Sequence, residues 1–212
     1  MKNLSFFKSS QREEGALYFA ALLDPLRVTM SLSIAELNHV LQKATCLVSH
    51  DELMKAFDVM AEKMNLALKD ENPVFLTVMN GGLMTASELA KRLTFPLEMD
   101  YVHATRYRGE LAGGAIHWLH EPTTPLKDRA VLIVDDILDG GITLAEIVAY
   151  CNNHGAKKVY TAVMLDKYQK RIPNGLQQAD FVGMKIEDHF VFGFGLDYQG
   201  YWRNTNAIYV AG

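Results

Sequence analysis

Residues 131 to 144 constrain this chain more than any other stretch. Val131-Leu132-Ile133-Val134 is followed by Asp135-Asp136, then by Ile137-Leu138-Asp139-Gly140-Gly141, and an amphipathic run opens at Ile142. A continuous aliphatic run suits a strand covered on both faces of a parallel sheet. A glycine-rich turn opening a helix presents backbone N–H groups to an anion such as phosphate. The stretch therefore predicts a strand, an anion-binding loop and a helix in succession. The paired acids separate it from ordinary phosphate loops. Standing where the strand ends, Asp135 and Asp136 would share a crevice with the phosphate cradle and accept hydrogen bonds from vicinal sugar hydroxyls. A sugar phosphate is the ligand that fits these residue types.

The chain has 212 residues, enough for one α/β domain with a good core and too few for two large ones. A single domain over 1–212 is expected, with a mainly helical N-terminal region (1–72), a core (74–170) and hood elements (180–210). Net charge is −4 with no Lys/Arg block, which disfavours a nucleic-acid partner. No apolar run approaches the roughly 18 residues that span a bilayer, so no membrane role is expected. Cys46 and Cys151 lack metal-ligand spacing and are expected to be buried thiols in helical surroundings, in a reducing cytoplasm.

Ser33-Ile34-Ala35-Glu36 and Ser49-His50-Asp51-Glu52 both fit the capping box, so a helix is expected after each. The second, over 50–69, would bury Leu53, Phe57, Met60, Met64 and Leu68. The apolar segment 16–23 fits helix or strand equally. Val74 to Met79 reads as a buried strand leading through Asn80-Gly81-Gly82 into a helix ending near Leu93. A strand is expected near 97–102, then a polar, Gly-rich hairpin-like loop from Arg106 to Gly114. The helix 142–153 would end on Gly155 in a left-handed C-cap. Strands at 159–165, 180–184, 190–194 and 207–210 would continue a sheet with helices on both faces.

The 131–144 stretch resembles the signature of the type I phosphoribosyltransferases, which bind 5-phosphoribosyl-1-pyrophosphate (PRPP) through an aliphatic run, two acids, two apolar residues and Asp-x-Gly-x-Thr. A second resemblance, in Asp180-Phe181-Val182-Gly183, Phe190-Val191-Phe192-Gly193, Gly195-Leu196-Asp197-Tyr198 and Arg203, is to the C-terminal hood of the hypoxanthine-guanine branch. Together with the Asn80-Gly81-Gly82 loop they cover about residues 74–210. They imply the type I fold: a mainly parallel central sheet, flanking helices and a small hood. They also imply a purine-salvage enzyme that uses PRPP and Mg²⁺ to convert a purine base into a nucleotide and pyrophosphate, as a homodimer or homotetramer.

The resemblance assigns roles residue by residue. Asp139 is the candidate general base near the purine N7; taken alone it reads as a helix N-cap, where Asp is favoured, and the resemblance makes catalysis its main role. Gly140, Gly141, Ile142, Thr143 and Leu144 would donate to the ribose 5-phosphate, with Asp135 and Asp136 on the ribose hydroxyls. Asn80, Gly81 and Gly82 match the pyrophosphate loop, where the family often has a cis peptide, and Arg203 matches a pyrophosphate contact. Lys167 would read a purine 6-oxo group, Phe190 would stack on the base, and Val191 and Asp197 would frame it. Taken alone, Lys167 reads as a solvated strand-end lysine and Phe190 as core. Asp135, Asp136 and Asp197 are the candidate metal-linked carboxylates, and Tyr107 matches the tyrosine of a closing loop. The chain departs from the family pattern at Asn80, where lysine is frequent, at Gly140, where Thr is common, and at Ile142, where Lys is often found. Thr105-Arg106-Tyr107 replaces the familiar serine-containing loop motif. A xanthine-preferring relative and a nucleotide-sensing regulator of the same fold stay open as alternatives.

Overall fold

The structure, a computed structural model, describes residues 32–106, 116–169 and 171–211. Segment 16–23 and Tyr107 lie outside them, as does most of the Arg106 to Gly114 loop. The chain divides into two units, Met1–His39 and Val40–Gly212. In the first, the Ser33 amide and hydroxyl donate to Glu36 and the Glu36 amide donates back to the Ser33 hydroxyl, so the expected capping box opens helix α1 (Ile34–Lys43).

In the second unit the chain forms β1 (Thr45–Val48), α2 (His50–Leu68), β2 (Val74–Met79), α3 (Gly82–Ala90), β3 (Glu98–Arg106) and β4 (Ile116–His120). It continues through β5 (Ala130–Leu138), α4 (Ile142–Asn153), β6 (Lys158–Lys167), β7 (Phe181–Ile186), β8 (Val191–Phe192) and β9 (Ile208–Val210). Six strands make one sheet in the order β4-β3-β2-β5-β6-β7, parallel except for β4, which runs antiparallel on the edge.

Period-two alternation assigns each face of this sheet its helices. Phe75, Leu132, Val134, Ala162 and Met164 join the α2 side chains Leu53, Phe57, Met60, Met64 and Leu68 and the α3 side chains Ala86 and Leu89 in one core. Their strand neighbours Val74, Leu76, Val131, Ile133 and Val163 join Leu144, Ile147 and Cys151 of α4 in the other. Both faces are therefore dry, which is why these strands read as unbroken aliphatic runs. Helix α4 ends at Asn153, and Gly155 takes φ +78° beyond it, as a left-handed cap requires.

Two expectations are corrected, and one strand is new. Only β7 of the last three strands continues the main sheet, whereas β9 pairs antiparallel with both β1 and β8 in a separate three-stranded sheet of order β1-β9-β8. Strand β1 itself was not foreseen, because four residues between two helices carry too short a pattern to show a period. Cys46 stands exposed on this strand; only Cys151 is buried, and burial pushes its thiol up to about 12.

Candidate active site

From β2 the chain passes to β3 on one side, yet β5 lies on β2's other side, so β2 and β5 flank a topological switch point. Ligands of open α/β sheets bind in the crevice beyond the carboxyl ends of such strands. A cavity of about 350 Å³ lies there, lined by the ends of β2, β3 and β5, the loop into α4, and Asp197 and Arg203 of the hood. Asn80, Gly81, Asp135, Asp136, Asp139 and all of 140–144 line it. Gly82, Lys167, Phe190 and Val191 stand outside the lining.

Register explains the carboxylates. Thr77 of β2 pairs with Val134 of β5, which puts Asp135 and Asp136 beside the last residues of β2. Burial, reinforced by the neighbouring Asp136 charge, pushes the Asp135 carboxyl well above the ordinary carboxylate range; the Asp136 amide, donating to Asp135 Oδ1 at 2.8 Å, opposes this. Burial raises Asp136 too, against hydrogen bonds and the Arg203 charge. Glycine is required opposite them. A Cβ on Gly81 would run into the Asp136 carboxylate, one on Gly82 would stand 2.7 Å from the Val134 carbonyl, and one on Gly195 would strike the Gly81 carbonyl. The Met79–Asn80 peptide is cis.

The N-cap of α4 is Gly141, at φ +84° with no side-chain cap, so Asp139 is not the helix cap. The Ala145 amide makes the first helical bond, to Gly141 O at 3.0 Å, and the amides of Ile142, Thr143 and Leu144 precede it at a helix N-terminus. Donors at such a terminus suit a phosphate.

Asp139 follows the end of β5, and Lys167 ends its neighbour β6. Lys167 Nζ lies 3.6 Å from Asp139 Oδ2 and 3.4 Å from Asp188 Oδ1, and its side chain is only 8% exposed, which excludes a solvated lysine. Asp139 Oδ1 is buried with no hydrogen-bond partner.

In the hood, Arg203 donates to Asp197 Oδ1 at 2.7 Å and to the Gly195 carbonyl at 2.6 Å, while Asp197 Oδ2 accepts from the Gly200 amide at 2.7 Å. Residues 193, 194 and 195 all take positive φ, a strained turn that brings Gly195 against the Gly81 loop. Phe190 is 58% exposed, its ring meeting Tyr198 edge-on at 5.8 Å, so it is not core. Val191 is buried in β8.

Residues 45–199 match the model of the phosphoribosyl transferase domain family. The chain belongs to that family. A hypoxanthine-guanine phosphoribosyltransferase of Bacillus subtilis is 30% identical to it over 176 residues, covering 81% of this chain and 94% of that relative. A hypoxanthine-guanine-xanthine phosphoribosyltransferase of Tritrichomonas foetus is 27% identical over 164 residues, covering 76% and 88%. The solved structure of a hypoxanthine phosphoribosyltransferase from Staphylococcus aureus superposes with a TM-score of 0.77 at 24% identity, over 85% of this chain and 97% of the other. That likeness establishes the type I fold.

The site also brings in residues that sequence reasoning missed. Asp188, in the polar Glu187-Asp188-His189 turn, approaches Lys167; His103 and Ala104 line the cavity from β3; and Arg171 sits beneath the loop. Asp188 and Arg171 lie in polar loops without a periodic signal, and the strand expected near 97–102 stops short of His103 and Ala104. Among the described residues no group of three or more His, Cys, Asp and Glu side chains is gathered to hold a metal ion. The carboxylates suit a hard cation that keeps waters and phosphate oxygens among its ligands.

Proposed function

We propose that this phosphoribosyltransferase transfers the phosphoribosyl group of PRPP to hypoxanthine or guanine, giving IMP or GMP and pyrophosphate in purine salvage. The observation that carries this reading is the buried Lys167 ammonium facing the Asp139 carboxylate at 3.6 Å, at the rim of the sugar-phosphate crevice. In this reading Lys167 donates to the purine 6-oxo oxygen. Adenine presents a 6-amino donor there, which the ammonium cannot satisfy, and a site built around one hydrogen bond rejects the mismatched analogue strongly. Asp139 accepts the N7 proton as a purine nitrogen bonds the anomeric carbon and pyrophosphate leaves. Phe190 covers the base, with the Val191 backbone and Asp197 at its edge.

The amides of 140–144 and the Thr143 hydroxyl hold the 5-phosphate, and Asp135 and Asp136 hold the ribose hydroxyls. Gly81, Gly82 and Arg203 hold pyrophosphate, with Asn80 contributing an amide where the family favours lysine. Asp135, Asp136 and Asp197 would hold Mg²⁺, which would supply charge neutralisation for the leaving group. That need is acute here: the cavity is lined by Asp135, Asp136, Asp139 and Asp197, and Arg203 is already paired with Asp197. Assembly into a homodimer or homotetramer belongs to the same proposal and is read by light scattering.

The test is nucleotide formation with PRPP, with and without Mg²⁺, from hypoxanthine, guanine, xanthine and adenine. The reading expects IMP and GMP, one pyrophosphate per nucleotide, and dependence on Mg²⁺. Turnover of xanthine above both would move the assignment to the xanthine branch, and no nucleotide from any base would overturn it.

A further inference from the structure

We infer that Arg171 is the positioning residue that sets the proton acceptor and the purine-reading lysine against each other. The inference builds on the proposed reaction. The Arg171 side chain is 11% exposed and makes five contacts. Its Nη1 donates to the carbonyls of Leu138 at 3.0 Å, Asp139 at 2.5 Å and Lys167 at 3.1 Å, its Nε to the Gln177 carbonyl at 3.1 Å, and its Nη2 to the Asp166 carboxylate. Two N–H bonds on Nη1 thus serve three carbonyls, by sharing. One planar guanidinium thereby ties the ends of β5 and β6 together directly behind the residues whose side chains meet at 3.6 Å.

Peptide planarity extends the effect into the phosphate loop. In a trans peptide the C=O and the following N–H point in opposite directions. Arg171 draws the Asp139 carbonyl to one side, so the Gly140 amide is aimed to the other. The next residues continue the pattern: the Ile172 amide donates to Gly140 O at 3.3 Å and the Leu176 amide to Gly141 O at 2.9 Å. The segment from Arg171 to Leu176 therefore aims three successive amides, those of 140, 141 and 142, all of which line the cavity. A lysine at 171 would keep the charge beside Asp166 but lose the fork that reaches three carbonyls.

The test is a double-mutant cycle between Arg171→Lys and Asp139→Asn, read as hypoxanthine kcat/KM, with the inhibition constant of Mg²⁺-pyrophosphate measured in parallel. Arg171→Lys is expected to lower kcat/KM by about 10-fold to 100-fold, the scale of a small misplacement. Asp139→Asn, worth about 10²-fold alone, should then add less than 10-fold, since the base is already out of place. Pyrophosphate inhibition should change by less than about twofold, because the Asn80 to Gly82 loop and Arg203 stand on other elements. Multiplicative losses, or a matching loss of pyrophosphate affinity, would make Arg171 a general structural residue and overturn the inference. Should Arg171→Lys not fold, Arg171→Met with Asp166→Asn leaves no unpaired buried charge and carries the same cycle; full activity in that pair would show that only charge compensation was needed. A wild type that forms no nucleotide would instead defeat the proposed reaction, a separate outcome.

Discussion

Asp135 is a residue held at the expense of the fold. Burial disfavours its charged form, the charge on Asp136 adds to the effect, and the carboxyl titrates well above its unfolded range. A raised carboxyl pKa means that the folded state holds its proton more tightly than the unfolded one. Its stabilising contribution is therefore present below the ordinary Asp value and lost as pH rises through the folded pKa. At neutral pH the raised pKa makes the acid a liability to the fold, so Asp135→Asn should raise the melting temperature of the metal-free protein by about a few degrees. The gain should close as pH falls below the ordinary Asp range, where wild type is also neutral. Differential scanning calorimetry in a chelating buffer across pH 3 to 8 reads it, and a variant no more stable than wild type at pH 7 would contradict the burial argument. Turnover of the same variant should fall, as expected where a site keeps a destabilising group for its ligand. At this scale the motif carried most of the site. Asp135, Asp136, Asp139 and the 140–144 run share one short stretch whose spacing survives in the fold. Arg171 and Asp188 did not show, because a lone charge in a polar loop looks the same whether it is solvated or clasped by three carbonyls.

The elements follow from signals that are local. Helix α2 begins at a capping box in which Glu52 Oε2 accepts from the Ser49 amide at 2.8 Å and the Ser49 hydroxyl at 2.6 Å, while the Glu52 amide donates to Ser49 Oγ at 3.4 Å. The hydroxyl and then the amide of Ser49 hold the Glu52 carboxyl below its ordinary range. A lowered pKa gives stability present above the unfolded Glu value and lost as pH falls through the folded one. Ser49→Ala should therefore lower the melting temperature by a few degrees at pH 7, and by less below pH 4, where wild type loses part of the same box. Thermal unfolding followed by circular dichroism checks this, and a deficit that widens in acid would contradict it. Elements with long apolar periods or caps were legible: α2, β2, β5 and α4 lie where the pattern put them. Strand β1 and the pairing of β8 with β9 were not, because two to four residues carry no period and β1 meets β9 from more than a hundred residues away in the chain.

At the scale of the whole second unit, the parallel sheet gathers several strand ends at one edge and leaves a crevice at the switch between β2 and β5. The hood adds Asp197 and Arg203 to that crevice, and its Phe190 is exposed to solvent. No helix among the described residues is long and apolar enough to cross a membrane. The fold class followed from the alternation of buried strands and amphipathic helices, but the proposed purine end of the site depends on a juxtaposition, Lys167 against Asp139, that the parallel pairing of β5 with β6 creates. That juxtaposition is the centre of the proposed chemistry, and the ratio of kcat/KM for hypoxanthine to that for adenine measures it most directly, in wild type and in Lys167→Met. The expected result is a ratio of about 10³ or more in wild type that collapses to within about 10-fold of unity in the variant, through loss of hypoxanthine turnover. A wild type that uses adenine comparably, or a variant that keeps the wild-type ratio, would contradict it.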